Sequence, residues 1–437
     1  MIFDKKRKKE SNKANEEKSE YIYRASEELA AQDEAEKKAA EREVASKSRR
    51  AEGARKSQRA EGARTDGTRA VTAGTGGPKH RKRRSKKVRR GFTIWQLLPF
   101  LFVLILIAVI VIKIVSYIGG ISRTPLKGED YTHAERFANS LKVEGIDVSE
   151  HQGEIKWKKV KSSGADFAFI RAAFRRSETG ELVEDATFKD NIKAANKAGI
   201  MVGAYIYSQA ISVKEAEEEA DFLVDLVKRY DINLPLVIDY ELYPGGRLEQ
   251  AITNEQLFAA SHFNEITTAF CRKVENEGYE SAIYANTDMF THYMDASLID
   301  KENTLWVAHY GGECGLESDY LFWQAADSAV CGGISGNVDH DFWYIEPGKV
   351  YPTRAKGKKK QTSIGKCKVE FDKSSYEIKN HRAIPEVSVT NADGKTLKEG
   401  KDYEVSFIRN IQPGTGYAIV RGIRKYKDWT SVPFTIE

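Results

Sequence analysis

Between Val143 and Glu346, short apolar runs alternate with stretches whose apolar positions recur at helical spacing. The runs predict strands at Gly145–Val148, Phe167–Ala172, Met201–Tyr207, Leu234–Tyr240, Ser281–Ala285, Thr304–Ala308, Leu321–Gln324 and Val338–Phe342. Amphipathic helices fit between the early strands, at Asp185–Ala198, Val213–Tyr230 and Asn254–Glu277. Strand–helix alternation argues for an α/β fold with a parallel sheet, here closed into a TIM-like barrel over residues 143–346. The last three strands leave no room for full helices, so helical cover is expected to be incomplete there. Farther on, the period shifts to two, clearest at Glu386–Thr390, Tyr403–Phe407, Tyr417–Val420 and Val432–Ile436. Turn signals at Asn391–Gly394 and Pro413–Gly416 separate these runs, which predicts a small all-β sandwich over 366–437 after a basic linker at 347–365.

The other end of the chain has neither period. Residues 1–90 are polar and charged and cannot bury enough apolar surface to offset ordering, so a disordered tail is expected. Its hexamer R-A-E-G-A-R occurs twice, at Arg50–Arg55 and Arg59–Arg64, too short and polar for a solenoid unit. Phe92–Ile112 then runs for 21 positions without a charge, enough to cross a hydrocarbon core about 30 Å thick. We expect a transmembrane helix within 91–118, with Trp95 and Tyr117 at the interfaces, and a polar stalk at 119–142. Nine Lys/Arg between Lys79 and Arg90 precede the run and nothing comparable follows it. The positive-inside rule thus puts the tail in the cytoplasm and everything after the span outside.

Charge sharpens this division. The net charge of +5 splits into 28 basic against 15 acidic residues over 1–90 and 41 against 49 over the remainder. Such asymmetry points to two environments, one of them a lipid bilayer, rather than to a nucleic-acid binder. Four cysteines without C-x-x-C spacing are too few for a disulfide scaffold, and no metal motif occurs, so no cofactor is expected. A Cys314–Cys331 disulfide would close a loop of about 17 residues, worth on the order of 3 kcal/mol; two unpaired thiols are the alternative.

The candidate chemistry sits at strand ends. Leu234–Glu241 reads L-P-L-V-I-D-Y-E, and residues two apart on a strand share a face, so Asp239 and Glu241 point the same way. Two carboxylates held that close cannot ionise independently, and one should keep its proton to higher pH, as glycoside hydrolysis requires. Other strands end in Asp147, Tyr205 and Tyr207, Tyr284 and Asn286, Trp306, Trp323 and Gln324, and Asp339. Acids beside aromatic platforms suit a sugar polymer, though each taken singly has a structural alternative, such as core packing for Trp306 or a turn cap for Asp339.

The segments G-I-D-V-S-E-H-Q-G (Gly145–Gly153), F-A-F-I-R-A (Phe167–Ala172), G-A-Y-I-Y (Gly203–Tyr207) and I-D-Y-E (Ile238–Glu241) occur in order. They are followed by I-Y-A-N (Ile283–Asn286), L-W-V-A-H-Y (Leu305–Tyr310), F-W-Q (Phe322–Gln324) and G-N-V-D (Gly336–Asp339). This series resembles the glycoside hydrolase family 25 lysozymes, the N-acetylmuramidases also called Chalaropsis-type lysozymes. The resemblance implies an irregular barrel of five β/α units and three further strands. It also implies cleavage of the β-1,4 bond between N-acetylmuramic acid and N-acetylglucosamine in the glycan strands of peptidoglycan. By position, Glu241 would be the general acid and Asp239 an ionised, stabilising partner at the anomeric centre, with substrate assistance favoured over a direct carboxylate nucleophile or an inverting water. Asp147 and Asp339 match the family's other acidic cleft positions, while Asp341, after His340, departs from the uncharged residues expected there. The C-terminal segment resembles Ig-like repeats of Gram-positive surface proteins. A non-catalytic wall-glycan binder and a chitinase-like glycosidase are the alternatives.

Overall fold

A computed structural model describes residues 125–127, 131–257, 259–356 and 360–437. The expected tail at 1–90 and span at 91–118 lie outside the described residues; among those described, no helix is long and apolar enough to cross a membrane.

Nine strands form the first sheet: β1 (Leu141–Val148), β2 (Phe167–Arg175), β3 (Leu182–Glu184), β4 (Met201–Ser208), β5 (Leu236–Tyr240), β6 (Ser281–Asn286), β7 (Thr304–Ala308), β8 (Phe322–Ala329) and β9 (Val338–Ile345). Eight of them close into a barrel in the order β1-β9-β8-β7-β6-β5-β4-β2, the pairing of β2 with β1 completing the ring, while β3 hangs on the outer edge of β2. All ring pairings are parallel except those of β9, which runs antiparallel to β8 and β1.

Helices α1 (Trp157–Ser162), α2 (Phe188–Ala198), α3 (Val213–Val227), α4 (Arg247–Thr253) and α5 (Ala260–Asn276) fill the connections from β1 to β6. Local signals set their ends. The Ser212 side chain caps α3 by accepting from Glu215 N, and α2 stops where Gly199 turns left-handed at φ 76°. After β6 there is only a five-residue π-helix and the four-residue α6 (Ala296–Ile299), and no helix lies between β7, β8 and β9. The shortage of helices expected at this end is observed.

Alternation along the strands divides the core in two. Outward residues such as Leu236, Ile238 and Tyr240 pack under the helices, whereas inward Phe167, Phe169, Val237, Trp306, Phe322 and Trp343 fill the barrel. Gly145 and Gly203 make room for this plug, because a Cβ at either would overlap the Phe167 or Phe169 ring. The β8–β9 wall, bare of helices, is covered instead by the preceding chain. Tyr131 and His133 meet Trp323 and Phe342 edge-on, and Phe137 stacks on Tyr344 at 3.7 Å. Part of the expected stalk therefore lies against the barrel.

The C-terminal part is all-β. Its main sheet runs β10 (Val350–Tyr351), β18 (Trp429–Ile436), β16 (Gly414–Gly422), β15 (Tyr403–Ile408), with β13 (Ser375–Tyr376) also on β18. Two short pairs, β11 (Thr362–Ser363) with β17 (Tyr426–Lys427) and β12 (Lys368–Phe371) with β14 (Val387–Thr390), complete it. Val387 and Val389 pack on Ala418 and Val420, so the β12–β14 pair covers one face of the main sheet. The segment expected as a linker supplies β10 and β11. Ile408, Ile419 and Trp429 belong to the same apolar cluster as Val143, Phe167, Trp343 and Ile345 of the barrel interior. The module thus closes the end of the barrel where the parallel strands begin.

The four cysteines are unpaired, so of the two alternatives for Cys314 and Cys331 the structure has the free thiols and not the bridge. The two thiols have separate surroundings: Cys314 contacts Tyr320 and the Leu316 backbone, Cys331 the Ser163 side chain.

Candidate active site

The opposite mouth, where the parallel strands end, gathers the acids. Inward positions of β5 are Val237 and Asp239, and Glu241 follows at the same period just past the strand. Asp147 occupies the corresponding place near the end of β1. Because β9 is antiparallel, its beginning lies at this mouth, which brings in Asp339 and, one step deeper, Asp341. Asp239 and Glu241 share a face, as the spacing predicted.

Hydrogen bonds tie these acids to polar side chains of the same wall. Gln324, 3% exposed, accepts at Oε1 from the hydroxyls of Tyr284 (2.8 Å) and Tyr310 (2.7 Å) and donates from Nε2 to Asp147 Oδ2 (2.7 Å). The Tyr284 hydroxyl also lies within hydrogen-bonding reach of Glu241, and its single proton serves one acceptor at a time. Trp306 Nε1 donates to Asp341 Oδ1 at 3.0 Å. Behind Glu241, the buried Gln209 donates to the Glu241 carbonyl oxygen at 3.1 Å and to the Tyr207 hydroxyl, and accepts from Leu248 N. That amide pins the loop after β5 to α4.

Electrostatics follow from crowding. Burial pushes the carboxyls of Asp147, Asp239, Glu241, Asp339 and Asp341 all upward. Neighbouring charges add to this: Asp341 acts on Asp147, Glu241 and Asp147 act on Asp239, and Asp147 and Asp327 act on Asp339. The Tyr284 contact offsets part of the rise at Glu241. Arg171, held by Asp185 at 2.8 Å and Glu150 at 3.1 Å, is the cation that favours ionisation of Asp239. Acids kept protonated beside acids that must ionise can supply general acid catalysis near neutral pH. Among the described residues no cluster suited to a metal ion occurs.

Several aromatic placements differ from expectation. Trp306 is fully buried in the barrel plug, stacked on Phe169 at 4.3 Å, and is no platform. Trp323 points outward, its Nε1 donating to His309 O under the Tyr131–His133 segment, because alternate residues of β8 face opposite sides. Gln324 is a buried clamp in this structure, and exposed Asn286 turns its Oδ1 to Met289 N, starting the π-helix. Tyr205 is buried against Trp306 beside the acids, while half-buried Tyr207 stands near Glu241. Reading the strands missed Arg171 and Tyr310. Both continue an inward period, Phe167-Phe169-Arg171 in β2 and Trp306-Ala308-Tyr310 past β7, and that period was the signal.

A closed α/β barrel with a carboxylate cluster where its parallel strands end is an arrangement that can host glycoside hydrolysis, among other chemistries. The model of glycosyl hydrolases family 25 matches residues 146–334, the whole of this mouth except Asp339 and Asp341. The chain is 26% identical over 200 residues to the autolytic lysozyme of Clostridium acetobutylicum, a match covering 46% of this chain and 55% of that protein. It is 29% identical over 213 residues to lysozyme M1 of Streptomyces globisporus, covering 47% and 68% respectively. Among solved structures, a bacterial lysozyme from Streptomyces coelicolor is 27% identical, with 46% of this chain and 91% of that one covered at a TM-score of 0.37. The family match thus falls on the barrel, and the chain spans little more than half the length of the Clostridium lysozyme it matches.

Proposed function

We propose that the protein hydrolyses the β-1,4 bond between N-acetylmuramic acid and N-acetylglucosamine in peptidoglycan. The observation that carries this reading is the shared orientation of Asp239 and Glu241 at the mouth of a family 25 barrel, among acids whose protons are held to high pH. Glu241 protonates the leaving oxygen. Asp239, whose charge Arg171 favours against burial and the surrounding acids, stabilises positive charge at the anomeric carbon and orients the substrate's acetamido group for attack. Asp147 and Asp339 hold the sugar, with Tyr205, Tyr207, Tyr284 and Tyr310 lining the approach.

The proposal extends to location. The uncharged run within 91–118, preceded by nine basic residues, anchors the chain in a bilayer with the barrel outside, where peptidoglycan is met. The C-terminal module serves as an Ig-like element on that outer side.

Incubation with purified peptidoglycan should release new reducing ends of muramic acid. Reducing ends of glucosamine would mark a different glycosidase, and release of neither would leave a glycan-binding protein. Glu241→Gln should lower the rate by about 10² or more, since an amide cannot donate the proton.

A further inference from the structure

Asp341 is fully buried on the inward face of β9. Its Oδ1 accepts from Trp306 Nε1, yet its Oδ2 is enclosed and meets no N–H or hydroxyl donor. The carboxyl as a whole lies within hydrogen-bonding reach of another acid, Asp147. Asp147 in turn has Oδ2 engaged by Gln324 Nε2 at 2.7 Å. The amide and the indole each engage one oxygen of one carboxyl, and the two carboxyls lie within hydrogen-bonding reach of each other. Two ionised carboxylates cannot bond, because neither has a donor, and an enclosed oxygen without a partner is costly.

We propose that Asp147 and Asp341 form a carboxyl–carboxylate pair that holds one proton between them and fixes the floor of the acidic mouth at a single negative charge. Asp341 is then a positioning residue, one that acts through Asp147. The groups facing the pair are Asp239 and Glu241 from β5 and its loop, Asp339 from β9, Tyr205 from β4, Tyr284 from β6 and Tyr310 beyond β7. Arg171 on β2 is the opposing charge at Asp239. All the other facing groups are acids or phenols, so a second negative charge on the floor would raise the cost of ionising Asp239. Sharing a proton removes that charge while keeping both carboxyls in place. The consequence for catalysis rests on the hydrolase reading; the pair itself does not.

Infrared difference spectroscopy on the full chain at neutral pH tests the pair without any substrate. Ordinary surface carboxyls are ionised there, so the protonated-carboxyl C=O band reports only acids that retain protons. The wild-type band should lose one carboxyl's intensity in Asp341→Asn and one in Asp147→Asn, since either amide donates to the remaining carboxylate and makes the shared proton unnecessary. Glu241→Gln should leave the pair's component in place. Circular dichroism confirms each fold, and if Asp341→Asn does not fold, Asp147→Asn decides. A band unchanged in a folded variant of either pair member, or absent from the wild type, overturns the pair. Failure to cleave peptidoglycan with the band pattern intact would instead sink the hydrolase reading alone.

Discussion

Asp239 shows at a single residue how the site opposes the fold. It is 7% exposed, its Oδ1 has no donor, and acids surround it, so its carboxyl titrates well above the ordinary range. An unfolded Asp has a pKa of about 3.9. Above that pH the folded chain therefore binds more protons than the unfolded chain, and stability falls as pH rises toward the folded value. Asp239→Asn removes that penalty. We expect the variant to melt a few degrees higher than wild type at pH 7, a gain on the order of 1 kcal/mol per pKa unit relieved. The gain should fade below about pH 4, where both forms are neutral, and hydrolysis should be largely lost. Thermal melts at the two pH values check the sign, and a variant no more stable at pH 7 contradicts the crowding described here.

Elements explain why those side chains meet. The two-residue period of the strands made Asp147, Asp239, Glu241 and Asp339 legible as one group before any coordinates, and the missing helices after β6 were legible from spacing alone. What spacing could not supply was the register around the ring. Trp306 and Trp323 both lie in strands, and the sequence left Trp306 open between platform and core while Trp323 read as cleft-lining. Only the pairing of β7 with β6 and β8 shows that one enters the plug and the other faces the Tyr131–His133 segment. Asp341 stood out as a departure, but its burial against Asp147 depends on the antiparallel β1–β9 pairing that sets it opposite Gly145. The same pairing logic yields a prediction. Gly145→Ala would drive a Cβ into the Phe167 ring, which is packed against Phe322 and Trp343 and cannot retreat. Overpacking of this kind costs about 1–3 kcal/mol, so the urea midpoint should drop without any loss of strand content.

At the scale of the whole molecule, the end of the barrel away from the acids is closed by another part of the chain. Trp429 lies against Trp343 at 5.4 Å and stacks on Tyr351 at 4.1 Å, inside a cluster that also holds Val143, Phe167 and Ile345. Polar ties ring this apolar contact. Arg409 N donates to Asp166 Oδ2 at 2.8 Å, Arg421 Nη2 to Asn233 O at 2.5 Å, and Arg382 Nη1 to Ala198 O at 3.3 Å. Glu280 accepts from Thr353 Oγ1 and Arg354 N. Each barrel partner precedes a parallel strand, so the module reaches no residue of the acidic mouth. A module attached by a free linker would leave the barrel's stability unchanged when removed. Here removal would uncover the aromatic plug. We expect a chain ending at Glu346 to aggregate or to melt well below the full chain. We also expect Trp429→Ala to cost about 3–5 kcal/mol while barrel and module still unfold in one transition. Calorimetry distinguishes the cases: two separate transitions in the wild type, or an unaltered barrel transition after truncation, would show that barrel and module are independent.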